Sequence, residues 1–283
     1  MKKRFIKCVL FVAAFVTSFP VVAQDIGELI DKAMQGNHRD PAFVVRDQYR
    51  HPKETLEFFG LKPYLNVVEI WPSRGWYTEI LAPIFRDYGT YYAAGFALSA
   101  QSTPDWKKEM EIEFEDKLSQ RPDVYDHVVV TGLSIPERTT IAPPGTIDMI
   151  LTFRNVHNWM KGNYTQGMLE TFYRILRPGG VLGIVEHRAA PGTSFEQMVK
   201  TGYVTEEFVI ALAQAIGFKF EASSEINANP KDTKDYPDGV WTLPPTLRLC
   251  KDIKNGSEKD KCIRKYTEIG ESDRMTLRFR KPY

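Results

Sequence analysis

Residues 66–85 read NVVEIWPSRGWYTEILAPIF. A short apolar run opens the stretch, a loop holding Pro72 and Gly75 interrupts it, and apolar residues then recur at helical spacing. This is the pattern of a strand, a turn and a helix.

Working downstream, further β-type runs follow at GTYYAAGFAL (89–98), HVVVTGL (127–133), TIDMILTF (146–153) and GGVLGIVEH (179–187). Helical patterns separate them, among them DWKKEMEIEFEDKL (105–118) and QGMLETFYRIL (166–176). Alternating β and α elements predict an α/β fold, a doubly wound and mostly parallel sheet with helices on both faces. The apolar runs at 147–153 and 181–185 suit the sheet centre, where both faces are buried. After a helix near TEEFVIALAQAIGF (205–218) come KFEASSEI (219–226) and MTLRFRK (275–281), which bring the predicted strands to seven. Upstream, residues 25–60 read as helical: Asp25–Met34 has helical apolar spacing, Pro52 suits a first helical turn, and Gly60 is a stop.

At the N-terminus Lys2, Lys3, Arg4 and Lys7 precede nine uninterrupted apolar residues, Cys8–Val16. A bilayer-spanning helix needs roughly 20. Val21-Val22-Ala23 then matches a cleavage site before Gln24, so residues 1–23 are expected to be a signal peptide and 24–283 a single exported domain. A short membrane anchor is the alternative. Removal of the four basic residues leaves 33 Lys and Arg against 36 Asp and Glu, a formal charge of −3. No basic stripe points to nucleic acid, and no repeat divides the chain. The expected partner is a small molecule, with no membrane span after cleavage; the oligomeric state is not legible.

Cys250 and Cys262 are the only cysteines beyond the leader and flank the charged loop KDIKNGSEKDK. In an oxidising compartment such a pair reads as a disulfide, worth about 3 kcal/mol in the chain-entropy account. Two free thiols, or a metal site, are the competing readings.

With these elements in order, the sequence resembles the class I S-adenosylmethionine-dependent methyltransferases, and more closely a family of secreted or periplasmic ones, over nearly all of residues 24–283. The motifs are E-x-W-P-S-R-G-W-Y (69–77), LTFRNVHNWM (151–160) and RILRPGGVLGIVEH (174–187). The resemblance implies a Rossmann-like methyltransferase fold and S-adenosylmethionine held between the 69–77 turn and the 154–159 loop. It places Glu69, Trp71, Ser73, Gly75, Trp76, Tyr77, Arg154 and Asn155 at the cofactor. Three departures stand out. Trp71 and Ser73 occupy two of the three usual glycine positions, so a bulky indole is expected to crowd the turn unless the backbone follows another path. GTYYAAGFALSA lacks the acid that would hold the ribose hydroxyls, and no carboxylate follows VVVTGL until Glu137, where one would touch the adenine amine.

Several candidates have structural alternatives. Glu69 suits either a ligand or a brace for the turn. Trp76 and Tyr77 offer faces to a sulfonium or other cation, or simple packing. Arg154, Asn155, His157, Asn158 and Trp159 form the densest polar and aromatic cluster, directly after a strand, where this architecture places ligand crevices. His157 is the candidate general base, with a hydrogen-bonded loop histidine as the alternative. Glu186 and His187 face the same crevice or pair locally with Arg188, and His51 is a minor candidate. No metal is expected at these residues. The polar, Pro-rich stretch from Ser224 to Arg248 reads as a lid or as an excursion tied by the disulfide.

Overall fold

The central strand, β1 (Asn66–Ile70), has Val67, Val68, Glu69 and Ile70 all buried, because it is covered on both faces. It pairs in parallel with β2 (Thr90–Phe96) on one side and β4 (Ile147–Phe153) on the other, so Val68 lies between Tyr92 and Ile150. A computed structural model describes residues 25–283; the leader expected over 1–23 lies outside the described residues. Beyond β2 lies β3 (Val129–Leu133), an edge strand with Val129 and Val130 exposed. Beyond β4 come β5 (Leu176–His187), β7 (Arg274–Arg280) and β6 (Lys219–Ser224), giving the order β3-β2-β1-β4-β5-β7-β6. Only β7 runs antiparallel. All seven predicted strands form, within three residues at their ends, because each was bounded by turn-forming residues.

Alternation along the strands splits the core in two. Val68, Ile70, Ile150, Leu182 and Ile184 face one layer, which the helices Val156–Lys161, Thr165–Ile175 and Glu206–Ile216 cover. Val67, Met149, Leu151, Val181 and Val185 face the other, beneath the helix Thr78–Phe85 and the N-terminal helices. Each large apolar side chain buried this way contributes roughly 1.5–3 kcal/mol.

The helical region at 25–60 is four short helices: Ile26–Met34, Pro41–Val44, Asp47–Arg50 and Pro52–Phe59. Asp25 and Asp40 cap two of them through Gly27 N–H and Ala42 N–H, and Gly60 ends the last at φ 81°. Cys250 and Cys262 are joined, linking the helices Arg248–Lys251 and Ser257–Thr267 around Leu243 and Tyr266. No helix among the described residues is long and apolar enough to cross a membrane.

Candidate functional site

The chain winds outward from β1 to β2 and β3, then returns to β4, so the carboxyl ends of β1 and β4 part at a topological switch point. Ligands of doubly wound sheets bind in that crevice. Here it measures about 380 Å³, and its walls are the 69–77 turn, the 153–158 loop, Lys107, and the segment 240–246 lying across it. The volume falls within the range of small-molecule sites.

At the β1 end Trp71, Ser73 and Gly75 have φ of 47°, 59° and 78°. The backbone therefore takes the left-handed path of a glycine turn without two of the glycines, at a cost of order 1–3 kcal/mol for each non-glycine residue. The alternative of another backbone path at Trp71 is therefore not taken. The indole turns toward β2 and β3: Nε1 donates to the Leu133 carbonyl at 3.2 Å, and the ring meets Phe96 at 4.9 Å and Tyr164 at 6.0 Å. Ser73 Oγ reaches Met110 Sδ at 2.9 Å. Gly75 has no room for a side chain, since a Cβ would fall 2.9 Å from Phe114.

Glu69 is a brace between elements. Its carboxylate accepts from Thr78 Oγ1 at 3.1 Å and from the Tyr91 hydroxyl, and burial pushes its carboxyl up to about 7. Trp76 does not offer a free face to a ligand's cation: Arg50 and Arg39 sit over its ring at 4.5 and 5.4 Å, and Nε1 donates to the Phe43 carbonyl. Tyr77 stacks on Phe153 at 3.5 Å. Both aromatics line the crevice from packed positions.

At the β4 end Arg154 has φ 60°, held by its N–H to the Val185 carbonyl at 2.7 Å. Asn155, expected at the cofactor, lines the crevice and donates its amide to the Ile70 carbonyl (2.9 Å) and Thr152 Oγ1 (3.2 Å), bridging β1 to β4. His157 Nδ1 lies 3.0 Å from Glu186 Oε1, and its N–H donates to Oε2 at 3.2 Å. This leaves Nε2 as the ring nitrogen without a partner among the described residues, in a carboxylate-oriented imidazole. Asn158 is exposed at the mouth, while Trp159 is wholly buried in the core.

Glu186 pairs with His157 rather than with Arg188, which binds Glu225 at 2.7 Å, Asp273 at 2.9 Å and Glu206 at 3.2 Å. His187 Nδ1 meets Ser272 Oγ at 2.5 Å; burial, then the positive field of His157 and the nearby arginines, depresses its pKa well below the usual imidazole value and keeps it neutral. His157, Glu186 and His187 offer ligand atoms within 4.8 Å of one another. Two imidazoles and a carboxylate form a transition-metal donor set. Against a cation stand the arginines facing them and the three N–H groups already bound to Glu186.

The sequence reading missed Arg50, Lys107 and Arg274, all of which line the crevice. His51 does not line it; its neighbour Arg50 does. Burial lowers Lys107 to about 8, and its ammonium lies 4.2 Å from the Trp71 ring centre. The segment expected as a lid contributes Val240, Trp241, Pro244, Pro245 and Thr246.

No protein-family model and no curated protein matches the sequence. Solved structures do match. A SAM-dependent methyltransferase from Aquifex aeolicus is 20% identical, with 72% of this chain and 94% of that one covered at a TM-score of 0.50. The phospholethanolamine N-methyltransferase 2 of Haemonchus contortus, in complex with phosphomonomethylethanolamine and S-adenosylhomocysteine, is 14% identical, covering 93% of this chain and 59% of its own at 0.53. The [4+2]-cyclase SpnF is 16% identical, covering 82% and 80% at 0.51. The fold is thus that of the class I SAM-dependent methyltransferases.

Proposed function

We infer that the protein is an exported small-molecule-binding protein of methyltransferase fold, whose ligand occupies the crevice and differs from S-adenosylmethionine in the pose that the resemblance implies. The observation that carries this is Trp71. Its indole, anchored on Leu133 and packed against Phe96, covers the carboxyl ends of β2 and β3, where the adenosine would lie. Among the described residues no free carboxylate compensates there. Glu111 is spent on the Phe96 N–H at 2.7 Å, and Glu137 on the N–H groups of Gln101 and Ser102, each at 2.8 Å. The residues present do not fit the cofactor, so no methyl-transfer step is derived.

A second reading, methyl transfer from S-adenosylmethionine to an unidentified acceptor, is favoured by one feature: the turn keeps a left-handed path at 71, 73 and 75 despite its strain. A base is needed only if the acceptor carries a proton, and His157, oriented by Glu186, has the geometry for that role. Calorimetric titration of residues 24–283 with S-adenosylmethionine and S-adenosylhomocysteine, beside a thermal-shift panel of other metabolites, separates the two. Our reading expects no heat from either nucleoside and stabilisation by a panel compound. Saturable binding of S-adenosylmethionine would overturn it in favour of methyl transfer.

Export belongs to the same proposal. The basic and apolar leader supports it, as does a cysteine pair of the kind that oxidising compartments maintain. Residues 1–30 fused to a reporter active only outside the cytoplasm should give signal; an uncleaved cytoplasmic product would contradict export.

A further inference from the structure

Four arginines, Arg46, Arg50, Arg154 and Arg274, converge where the N-terminal helices meet the end of β4 and the start of β7. A single carboxylate touches three of them among the described residues: Glu271 accepts from Arg46 Nε at 2.5 Å, from Arg50 Nε at 3.3 Å and from Arg274 Nη2. Burial alone would raise the Glu271 pKa, but the arginines together outweigh it and hold it far below the usual carboxylate range. The group has more positive charge than one carboxylate offsets. Burial, then repulsion from Arg154, depresses the Arg50 guanidinium well below its ordinary value, and burial brings Arg154 down to about 10. Of the other carboxyls facing the crevice, Glu186 adds a negative charge that acts on Arg154, which still leaves four guanidiniums against two carboxylates, and burial pushes the Glu69 carboxyl up toward its neutral form. Glu69 is bound to Thr78 and Tyr91, and Glu186 to His157 and two backbone N–H groups.

Donors are left over as well as charge. Arg50 and Arg274 are 4% and 2% exposed, yet Arg50 Nη2 and Arg274 Nε have no hydrogen-bond partner among the described residues. The half-buried Arg154 side chain makes no hydrogen bond or ion pair among the described residues, although its backbone is held in the left-handed region. These three line the crevice and also a satellite cavity of about 10 Å³ beside it. That space suits one water, which could satisfy a donor. A water cannot neutralise the excess charge. An anion does both, because guanidinium bonds to carboxylate or phosphate are charge-assisted and often bidentate.

We propose that Arg50, Arg154 and Arg274 are the receptor for an anionic group, carboxylate or phosphate, on the ligand of this crevice. Trp71, Phe96 and Trp241 give the crevice aromatic walls beside its polar groups, so the ligand joins that anionic head to an aromatic or apolar body. This inference rests on the crevice being a ligand site.

The test is thermal shift and calorimetry of residues 24–283 with millimolar benzoate, phenyl phosphate and neutral benzyl alcohol at constant ionic strength. One or both anions should raise the melting temperature and titrate, while benzyl alcohol does neither. Response to benzoate alone identifies a carboxylate head, to phenyl phosphate alone a phosphate head, and to both a receptor for either; each supports the proposal. Arg154→Met should weaken anion binding roughly tenfold or more. Unliganded, that variant should melt no lower than the parent, since one cation leaves a self-repelling cluster. Failure of both anions to bind overturns the receptor and leaves the crevice to the metabolite panel. Asn158→Trp, which narrows the mouth from an exposed position, separates the remaining cases. Binding lost in Asn158→Trp but kept in Arg154→Met retains the crevice and overturns the arginine receptor. Binding kept in both variants puts the anion elsewhere and overturns both readings.

Discussion

Asn155→Ala is the substitution for which the structure and the sequence expect different outcomes. As an exposed ligand-binding loop residue, Asn155 would be removable at almost no cost to the fold. In the structure it is 8% exposed, and its amide donates to the carbonyl of Ile70, itself 1% exposed, and to Thr152 Oγ1, which is fully buried. The alanine variant leaves the Ile70 carbonyl without that donor at the point where β1 and β4 part. An unsatisfied buried acceptor costs about 1–3 kcal/mol, and Thr152 can reorient its hydroxyl and lose little. A loss of about 2 kcal/mol corresponds to roughly 4–8 °C in melting temperature for a domain of this size. Urea unfolding followed by tryptophan fluorescence, alongside thermal melts, measures it. Asn158→Ala is the comparator: it is exposed, makes no side-chain bond among the described residues, and should stay within about 0.5 kcal/mol of the parent. Asn155→Asp sets a carboxylate against the Ile70 carbonyl and should do at least as much damage as alanine. Equal unfolding midpoints for Asn155→Ala and Asn158→Ala would refute the bridging role.

Glu69 predicts a pH dependence. Burial lifts its carboxyl to about 7, so between the ordinary carboxylate value and about 7 the folded chain holds a proton that the unfolded chain has released. Its contribution to stability therefore falls as pH rises through that window and is constant above it, by up to roughly 3 kcal/mol. Glu69→Gln should flatten its share of this part of the stability curve, to which the raised Glu111 and Asp232 also contribute and which the depressed His187 opposes; an unchanged slope would mean that Glu69 is ionised in the fold. Replacing both Cys250 and Cys262 with serine should cost up to about 3 kcal/mol, with hydrogen exchange accelerating over residues 243–267 while the central strands stay protected. Equal loss of protection across the sheet would contradict a local tether.

The site was less legible than the strands because its chemistry is assembled across long separations. Arg50 and Arg274 meet at Glu271, with 221 positions between Arg50 and that carboxylate, and neither arginine belongs to a local motif. The one local hint was the helical spacing of Arg46 and Arg50, which puts both on the same side of the chain. The 154–159 cluster was visible as a concentration of polar and aromatic residues after a strand. Its division of labour was not, since whether Asn155 faces a ligand or the Ile70 carbonyl depends on where β1 ends relative to β4.

What the sequence by itself determined is the succession of elements and their two-sided burial, because apolar period, turn residues and helix stops are local and act within a few residues of one another. It also made a disulfide the first reading of Cys250 and Cys262, through their number and spacing, and the structure joins them. What only the tertiary structure decided is the character of the crevice: that Trp71 and Ser73 follow a glycine path, that the indole turns onto Leu133, and that three arginines share one carboxylate beside a fourth, Arg154, with no ion pair among the described residues. Those outcomes depend on side chains from β1, β4, β7 and the N-terminal helices arriving at one point, and the energies at stake, desolvation and like-charge repulsion, arise only once the sheet has brought them together.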